Sequence, residues 1–345
     1  MSIIDSITIT QPDDWHLHLR LGELLQLVLP FTTRVFARAM VMPNTAPRAI
    51  VTATDVIWYR TEIESLLAAQ SISGFKPLFT FKITPTTTRA MVYAAQEAGV
   101  IAGKLYPDSV TTGSAGGVRD FKALYPVFQL MAEFGIVLSI HCELPDAPTT
   151  GPKNAEVAFI PVLRDIIAAI PGLRIVVEHV STEVMVAFVK QAPATVAATI
   201  TPHHLVLVHN DATTNIHNYC KPVAKTPADR EAVVLAAVSG DRRFFLGGDS
   251  ASHWLVQKQA GAAGVFCAPV ALELVTQVFA SHGALERLGL FVSHHGADFY
   301  GLPRNGGMIT LVRQPWQVPA EYRGLNGNVL VPFLAGQTLQ WQVAA

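Results

Sequence analysis

Charge, cysteine and long apolar runs are the scarce features of this sequence. Only 15% of its residues are charged, and 25 Lys and Arg against 26 Asp and Glu leave a formal net charge of -1. That balance offers no electrostatic footprint for nucleic acid or an anionic membrane. The three cysteines, Cys142, Cys220 and Cys267, have no CxxC spacing. This argues against a disulfide framework or a cysteine-based zinc site and makes a reducing compartment the default. No run of about 18 uninterrupted apolar residues occurs, so no membrane span is expected. The opening MSIIDSITITQPDDW lacks the basic-then-apolar order of a secretory signal. Neither a GxxxxGKS/T motif nor a helix-opening GxGxxG is present, which weakens any nucleotide-binding reading. No Ser-, Gly- or Pro-rich linker divides the chain, so 1–345 is read as one domain in a cytoplasmic protein.

What the sequence has is apolar mass: 50% of 345 residues are hydrophobic, enough for a large buried core. Short β-branched runs at 13–19, 37–44, 77–84, 101–107, 135–143, 173–181, 195–204 and 243–250 alternate with helical patterns such as 52–70, 86–99 and 227–240. Thr226 with Asp229 has the spacing of a helix capping box. Near-continuous apolar strands separated by helices indicate a parallel sheet covered on both faces, and eight such units predict an α/β fold, a (β/α)8 TIM barrel. The segment from about 284 onward is expected to be a final helix and a loop-rich tail packed on the barrel.

Polar residues gather at the C-terminal ends of seven of the eight predicted strands: His16/His18, Asn44, Lys104, His141, His179, His203/His204 and Asp249. A barrel brings those ends together in one mouth. In DDWHLHLRLG, strand alternation turns His16, His18 and Arg20 to one side, and two imidazoles one residue apart can grip a metal ion. Alternation likewise groups Val137, Ser139 and His141, and groups Ile175, Val177 and His179 with Glu178 facing outward. Lys104 at a buried strand end must be paired, neutral or modified; a salt bridge and a CO2-derived carbamate both remain open. Asp249 suits either a metal ligand and proton shuttle or a helix cap, with Gly247 and Gly248 permitting close backbone approach. No role is assigned to His203 or His204. The Gly/Ser/Thr stretch 111–120 reads as a mobile lid.

Taken together, HLHLR, AxVMPN, AxKLYP, the histidines ending the fifth and sixth strands, ATITPxHL, FLGxDSAxH, FYGLP (299–303) and LVPFLAGQTLQW (330–341) resemble the amidohydrolase superfamily. More narrowly, the chain resembles the single-domain (class II) dihydroorotases. That resemblance implies a zinc-dependent hydrolase of de novo pyrimidine (UMP) biosynthesis. Its small-molecule reaction is the reversible cyclisation of N-carbamoyl-L-aspartate to L-dihydroorotate. It implies two Zn2+ per chain, one held by His16, His18 and Asp249 and the other by His141 and His179. Lys104, as N6-carboxylysine, bridges them. A hydroxide shared by two ions about 3.5–4 Å apart attacks the ring amide, with Asp249 as general acid and base. The resemblance further assigns substrate contacts to Arg20, Asn44, His253 and the backbone of Ala263, a ring contact to the backbone of Lys221, and lid contacts to Thr111 and Thr112. A homodimer is the family-level expectation.

Some positions depart from that pattern. Gly248 and Ser252 stand where Thr and Pro are expected, 261–269 lacks a cysteine cluster, and the loop after His141 lacks the usual acidic and arginine residues. None removes a ligand. Three rival readings fit less well. A hydantoinase or allantoinase typically adds a β-sandwich, and only 15 residues precede His16. A mononuclear deaminase needs no bridging Lys104. A degenerate scaffold paralogue usually loses ligands that are all present here.

Overall fold

The predicted strands form where β-branched runs sit between helical segments. The protein is described over residues 5–344 in a computed structural model. The strands begin with β1 (Ser6–Thr10), β2 (Asp13–His18), β3 (Arg38–Val41) and β4 (Lys76–Ile83). They continue with β5 (Ala102–Leu105), β6 (Val137–Ile140), β7 (Ile175–Val177) and β8 (Val196–Ile200). Then come β9 (Phe244–Leu246), β10 (Ser250–Ala251) and β11 (Met308–Val312).

From β2 to β9, neighbours pair in parallel in chain order. The last barrel strand is split. β9 pairs with β8, the chain turns through Gly247, Gly248 and Asp249, and β10 then pairs in parallel with β2, Ser250 opposite Leu17 and Ala251 opposite His18. The Asp249 amide donates to the His16 carbonyl at 2.6 Å across the same seam. The (β/α)8 barrel expected from the sequence is closed by that turn.

Alternation gives each strand an outer and an inner face. Leu138, Ile140, Ile175, Val177, Ala198 and Ile200 face outward into the main core shared with the helices. Leu78, Ala102, Val137, Val176, Ala197 and Phe245 form a separate apolar cluster within the barrel. Two residues further along, the inner face carries buried Thr80, Lys104, Ser139, Glu178 and Thr199. A polar layer therefore lies directly above an apolar one. Helix Pro227–Val238 starts with the expected capping box, the Thr226 hydroxyl accepting the Asp229 amide at 3.2 Å and the Asp229 carboxylate accepting the Thr226 amide at 3.1 Å.

Below the apolar layer, helix His295–Tyr300 seals the barrel. Tyr300 stacks on Trp15 with ring centroids 4.6 Å apart, and any Cβ at Gly296 would overlap the Trp15 indole. Further along the tail, Leu311, Leu330 and Trp341 join the main core, while Val318, Phe333 and Leu339 pack with Leu207, Cys220 and Val265.

One feature differs from the loop-rich tail expected after the final helix. β1 pairs antiparallel with β11, Ser6 opposite Val312 through Thr10 opposite Met308, and the short strand Gln342–Val343 adds to the other side of β11. SITIT and MITLV do alternate with period two, but each is only five residues long and their partners lie about 300 positions away. The pairing needs the closed barrel to bring both segments together.

Candidate active site

The strand ends converge on one rim. His16 and His18 on β2 and Asp249 from the split strand present ligand-capable atoms all within 4.8 Å of one another. His16 Nε2 lies 3.4 Å and His18 Nε2 3.2 Å from Asp249 Oδ1. The rings of His141 and His179, which follow β6 and β7, have centroids 4.6 Å apart, and His179 lies 5.3 Å from His16. Lys104 on β5 is fully buried, and its Nζ has no hydrogen-bond partner. Arg20, Asn44, Thr111, Thr112, Lys221 and Ala263 line the same cavity, of about 30 Å³. His253 stands just behind that lining, its Nε2 3.0 Å from Arg20 Nη2 and 3.1 Å from the Ala263 carbonyl. All the residues singled out from the sequence are thus gathered in one place, apart from His203 and His204, which lie buried to one side.

Three of them are aimed by backbone breaks rather than by strand alternation. Arg20, His179 and Asp249 have φ of 63°, 44° and 45°, a left-handed conformation uncommon for non-glycine residues and frequent at functional sites. β2 ends at His18, so Arg20 reaches the cavity through its own turn. The expected grouping on β7 is corrected for the same reason. Val176 and Glu178 occupy the inner face, Ile175 and Val177 the outer, and His179 turns inward because its positive φ interrupts the alternation.

Glu178 is therefore not a surface residue but a buried carboxylate. It accepts His16 Nδ1–H at 2.7 Å and the Thr199 hydroxyl at 2.6 Å, and also accepts the Ser139 hydroxyl. These bonds orient the His16 ring and turn Nε2 toward Asp249. Glu143 does the same for His141, accepting Nε2–H at 2.7 Å and leaving Nδ1 for the site. Asp14 accepts the amides of Gly248 at 2.7 Å and His16 at 3.0 Å, pinning the split strand to β2. Glu143 and Asp14 are not singled out by the sequence, and Glu178, expected to face outward, faces the site instead. Each sits one or two residues from a histidine at a strand end, and that adjacency was the available signal.

Burial pushes His18 down to about 3, holds His179 well below the usual imidazole range and lowers His141 despite Glu143 beside it. Neutral imidazoles are the form that binds metal. Burial alone would raise Glu178, but His16, Lys104 and the hydrogen bonds hold it at about 2. Burial would likewise raise Asp249, yet His16 and His18 keep it below the ordinary carboxylate range. Burial lowers the Lys104 amine, with Glu178 and Asp249 opposing. Neutral, pre-oriented imidazoles, an ionised aspartate and an unpartnered buried amine are a donor set that fits metal ions.

The segment after β5 lies across the mouth. Asp108 gathers it by accepting Arg119 Nε at 2.7 Å, the Gly116 amide at 2.8 Å and the Ser109 hydroxyl at 2.9 Å. At its tip, the Thr112 hydroxyl accepts the Ala263 amide at 3.2 Å, and Asn44 Nδ2 donates to the Thr112 carbonyl at 3.3 Å. Arg20 is held from behind, its Nε donating to the Ser252 carbonyl at 3.0 Å.

Residues 14–233 match the family described as Amidohydrolase. The chain is 45% identical over 342 residues to the dihydroorotase of Shewanella frigidimarina, covering 98% of both chains. Among solved structures, a dihydroorotase from Saccharomyces cerevisiae in complex with 5-fluoroorotic acid is similar with a TM-score of 0.91 at 33% identity, covering 99% of each chain. A dihydroorotase from Campylobacter jejuni is similar with a TM-score of 0.90 at 32% identity, covering 100% of this chain and 99% of that one.

Proposed function

Because the chain belongs to the amidohydrolase family and, within it, to the dihydroorotases, we propose that it interconverts N-carbamoyl-L-aspartate and L-dihydroorotate in pyrimidine (UMP) biosynthesis. The observation that carries this reading is the gathering of His16, His18, His141, His179 and Asp249 in the cavity that Arg20 also lines. Beside it lies the buried Lys104, whose Nζ has no partner.

His16, His18 and Asp249 would hold one zinc ion and His141 and His179 a second, with Lys104 as a carbamate between them. When bound, the two ions supply Lewis acidity toward the ring carbonyl and make water nucleophilic at neutral pH. The burial that lowers Lys104 favours the neutral amine able to add CO2; its N–C bond forms as one proton leaves Nζ. Arg20 offers its remaining guanidinium N–H groups to the substrate carboxylate, with Asn44 Nδ2 and His253 beside it. In hydrolysis, Asp249 takes a proton from the attacking water and delivers it to the departing ring nitrogen; in cyclisation it moves the proton the other way. The backbone of Ala263 adds a further contact on the carboxylate side, and the backbone of Lys221 contacts the ring. Thr111 and Thr112 replace their present contacts with substrate contacts and exclude water. A hydantoin, lacking the carboxylate, would leave the remaining N–H groups of the half-buried Arg20 guanidinium unmatched.

We also propose that residues 1–345 form one domain, supported by the tail residues within the barrel's core, and that the protein is a cytoplasmic homodimer. Among the described residues, no helix is long and apolar enough to cross a membrane. The test is dihydroorotate hydrolysis by the zinc-loaded full chain, followed by loss of ultraviolet absorbance. Turnover accompanied by at least two zinc per chain is the expected result; full zinc occupancy without turnover would overturn the reading.

A further inference from the structure

His203, His204 and Cys220 have no part in the chemistry above, yet among the described residues they form the second group whose ligand-capable atoms all lie within 4.8 Å of one another. All three are buried, His203 completely. Both ring nitrogens of His203 lack a hydrogen-bond partner. A buried imidazole left without a partner is destabilising, so such an arrangement calls for an explanation. His204 Nε2–H donates to the Pro222 carbonyl at 3.0 Å, and the Cys220 thiol is directed at the same oxygen at 3.4 Å. The sulfur and the imidazole nitrogen thus lie side by side against the Pro222 carbonyl, with His203, whose ring centroid is 4.8 Å from that of His204, alongside. The sequence hides this grouping, because its donors come from positions 203, 204 and 220 without any CxxC or HxH spacing.

We propose that His203, His204 and Cys220 form a separate binding site for a thiophilic transition-metal ion. One thiolate and two imidazoles are the ligand types that select such ions over Mg2+ or Ca2+. Tetrahedral bonds of the usual zinc–nitrogen and zinc–sulfur lengths put donors roughly 3.3–3.7 Å apart, so the three side chains close in by about 1 Å. His204 can release Nε2 by moving its ring proton to Nδ1, where the Thr201 oxygen, 2.8 Å away, accepts it. Cys220 gives up its thiol proton to solvent as the metal–sulfur bond forms.

The place of this site gives it a purpose. Cys220 directly precedes Lys221, and the Gly264 amide donates to the Tyr219 carbonyl at 2.9 Å. Lys221, Ala263 and Gly264 all line the catalytic cavity. An ion at Cys220 thus clamps the cavity wall formed by segments 219–222 and 263–264. It is a positioning site, whose loss raises KM severalfold and leaves kcat unchanged.

The test counts Co2+ bound per full-length chain for the native protein, Cys220→Ser and His203→Gln, with thermal melts to establish that each is folded. The site predicts that the native protein binds one equivalent more than either variant. It also predicts a near-ultraviolet thiolate-to-cobalt charge-transfer band that both variants lose. Equal stoichiometry in all three proteins, or a native protein without that band, would overturn the proposal. If one folded variant is unobtainable, the other decides by the same difference. The outcome is independent of the catalytic reading, since turnover of dihydroorotate is measured on the same samples.

Discussion

Lys104 is the residue on which the arrangement turns, because a fully buried amine with no partner has few stable states. Lys104→Ala is expected to lower kcat more than about 10²-fold and to reduce metal content, with short carboxylic acids restoring part of both. Wild-type turnover with two tightly held ions and no added acid would refute the carbamate. Glu178→Gln leaves shape intact but removes the charge that fixes His16 Nδ1–H. Metal affinity should fall roughly 10–100-fold, measurable by competition with a chelator. The two residues differ in legibility. A lysine in an apolar strand end stands out in the sequence, whereas Glu178 was misassigned because a break at His179 cannot be seen from alternation alone.

At the scale of elements, strands and their polar ends were readable because a parallel barrel strand must be apolar on both faces until it reaches the rim. The segment 108–119 was readable only as a lid in outline. Its anchor, Asp108 gripping Arg119 and Gly116, depends on a fold-back that local sequence does not specify. Asp108→Asn should loosen it, giving faster amide exchange over 108–119 and a several-fold higher KM with unchanged metal content. Unaltered exchange there would mean that other contacts hold the lid. The terminal sheet is not legible in the sequence, since its short strands lack the strand–helix repeat of the barrel and pair only when opposite ends of the chain meet.

For the whole molecule, buried histidines set the response to acid. Burial pushes His18, His203 and His253 down to about 3 and His204 to about 4. Above pH 6.5 both folded and unfolded states are neutral there; below it only the unfolded chain takes up protons, so stability falls as pH falls. Asp14, raised by burial to about 7, works the other way between pH 7 and its unfolded value near 3.8. With His179 and His141 lowered as well and Glu178 and Asp249 held below the carboxylate range, these groups outweigh Asp14, so metal-free protein should lose stability steadily as pH falls from 6 to 4. Denaturant melts at several pH values would read this slope, and His203→Gln should make it shallower by about one proton. At the opposite end of the barrel, Gly296→Ala should lower stability by about 1–3 kcal/mol or more by displacing Trp15, with metal binding at the rim unchanged.

The split strand has a consequence for how the protein comes to work at all. Asp249 is aimed into the mouth by the turn that lets the chain leave β8 and join β2. Joining first strand to last and assembling the reactive carboxylate are therefore one event. A chain with seven strands docked, however native its helices, carries no competent catalyst. Recovery of turnover during refolding becomes a clock for closure of the ring, blind to everything that happens before it.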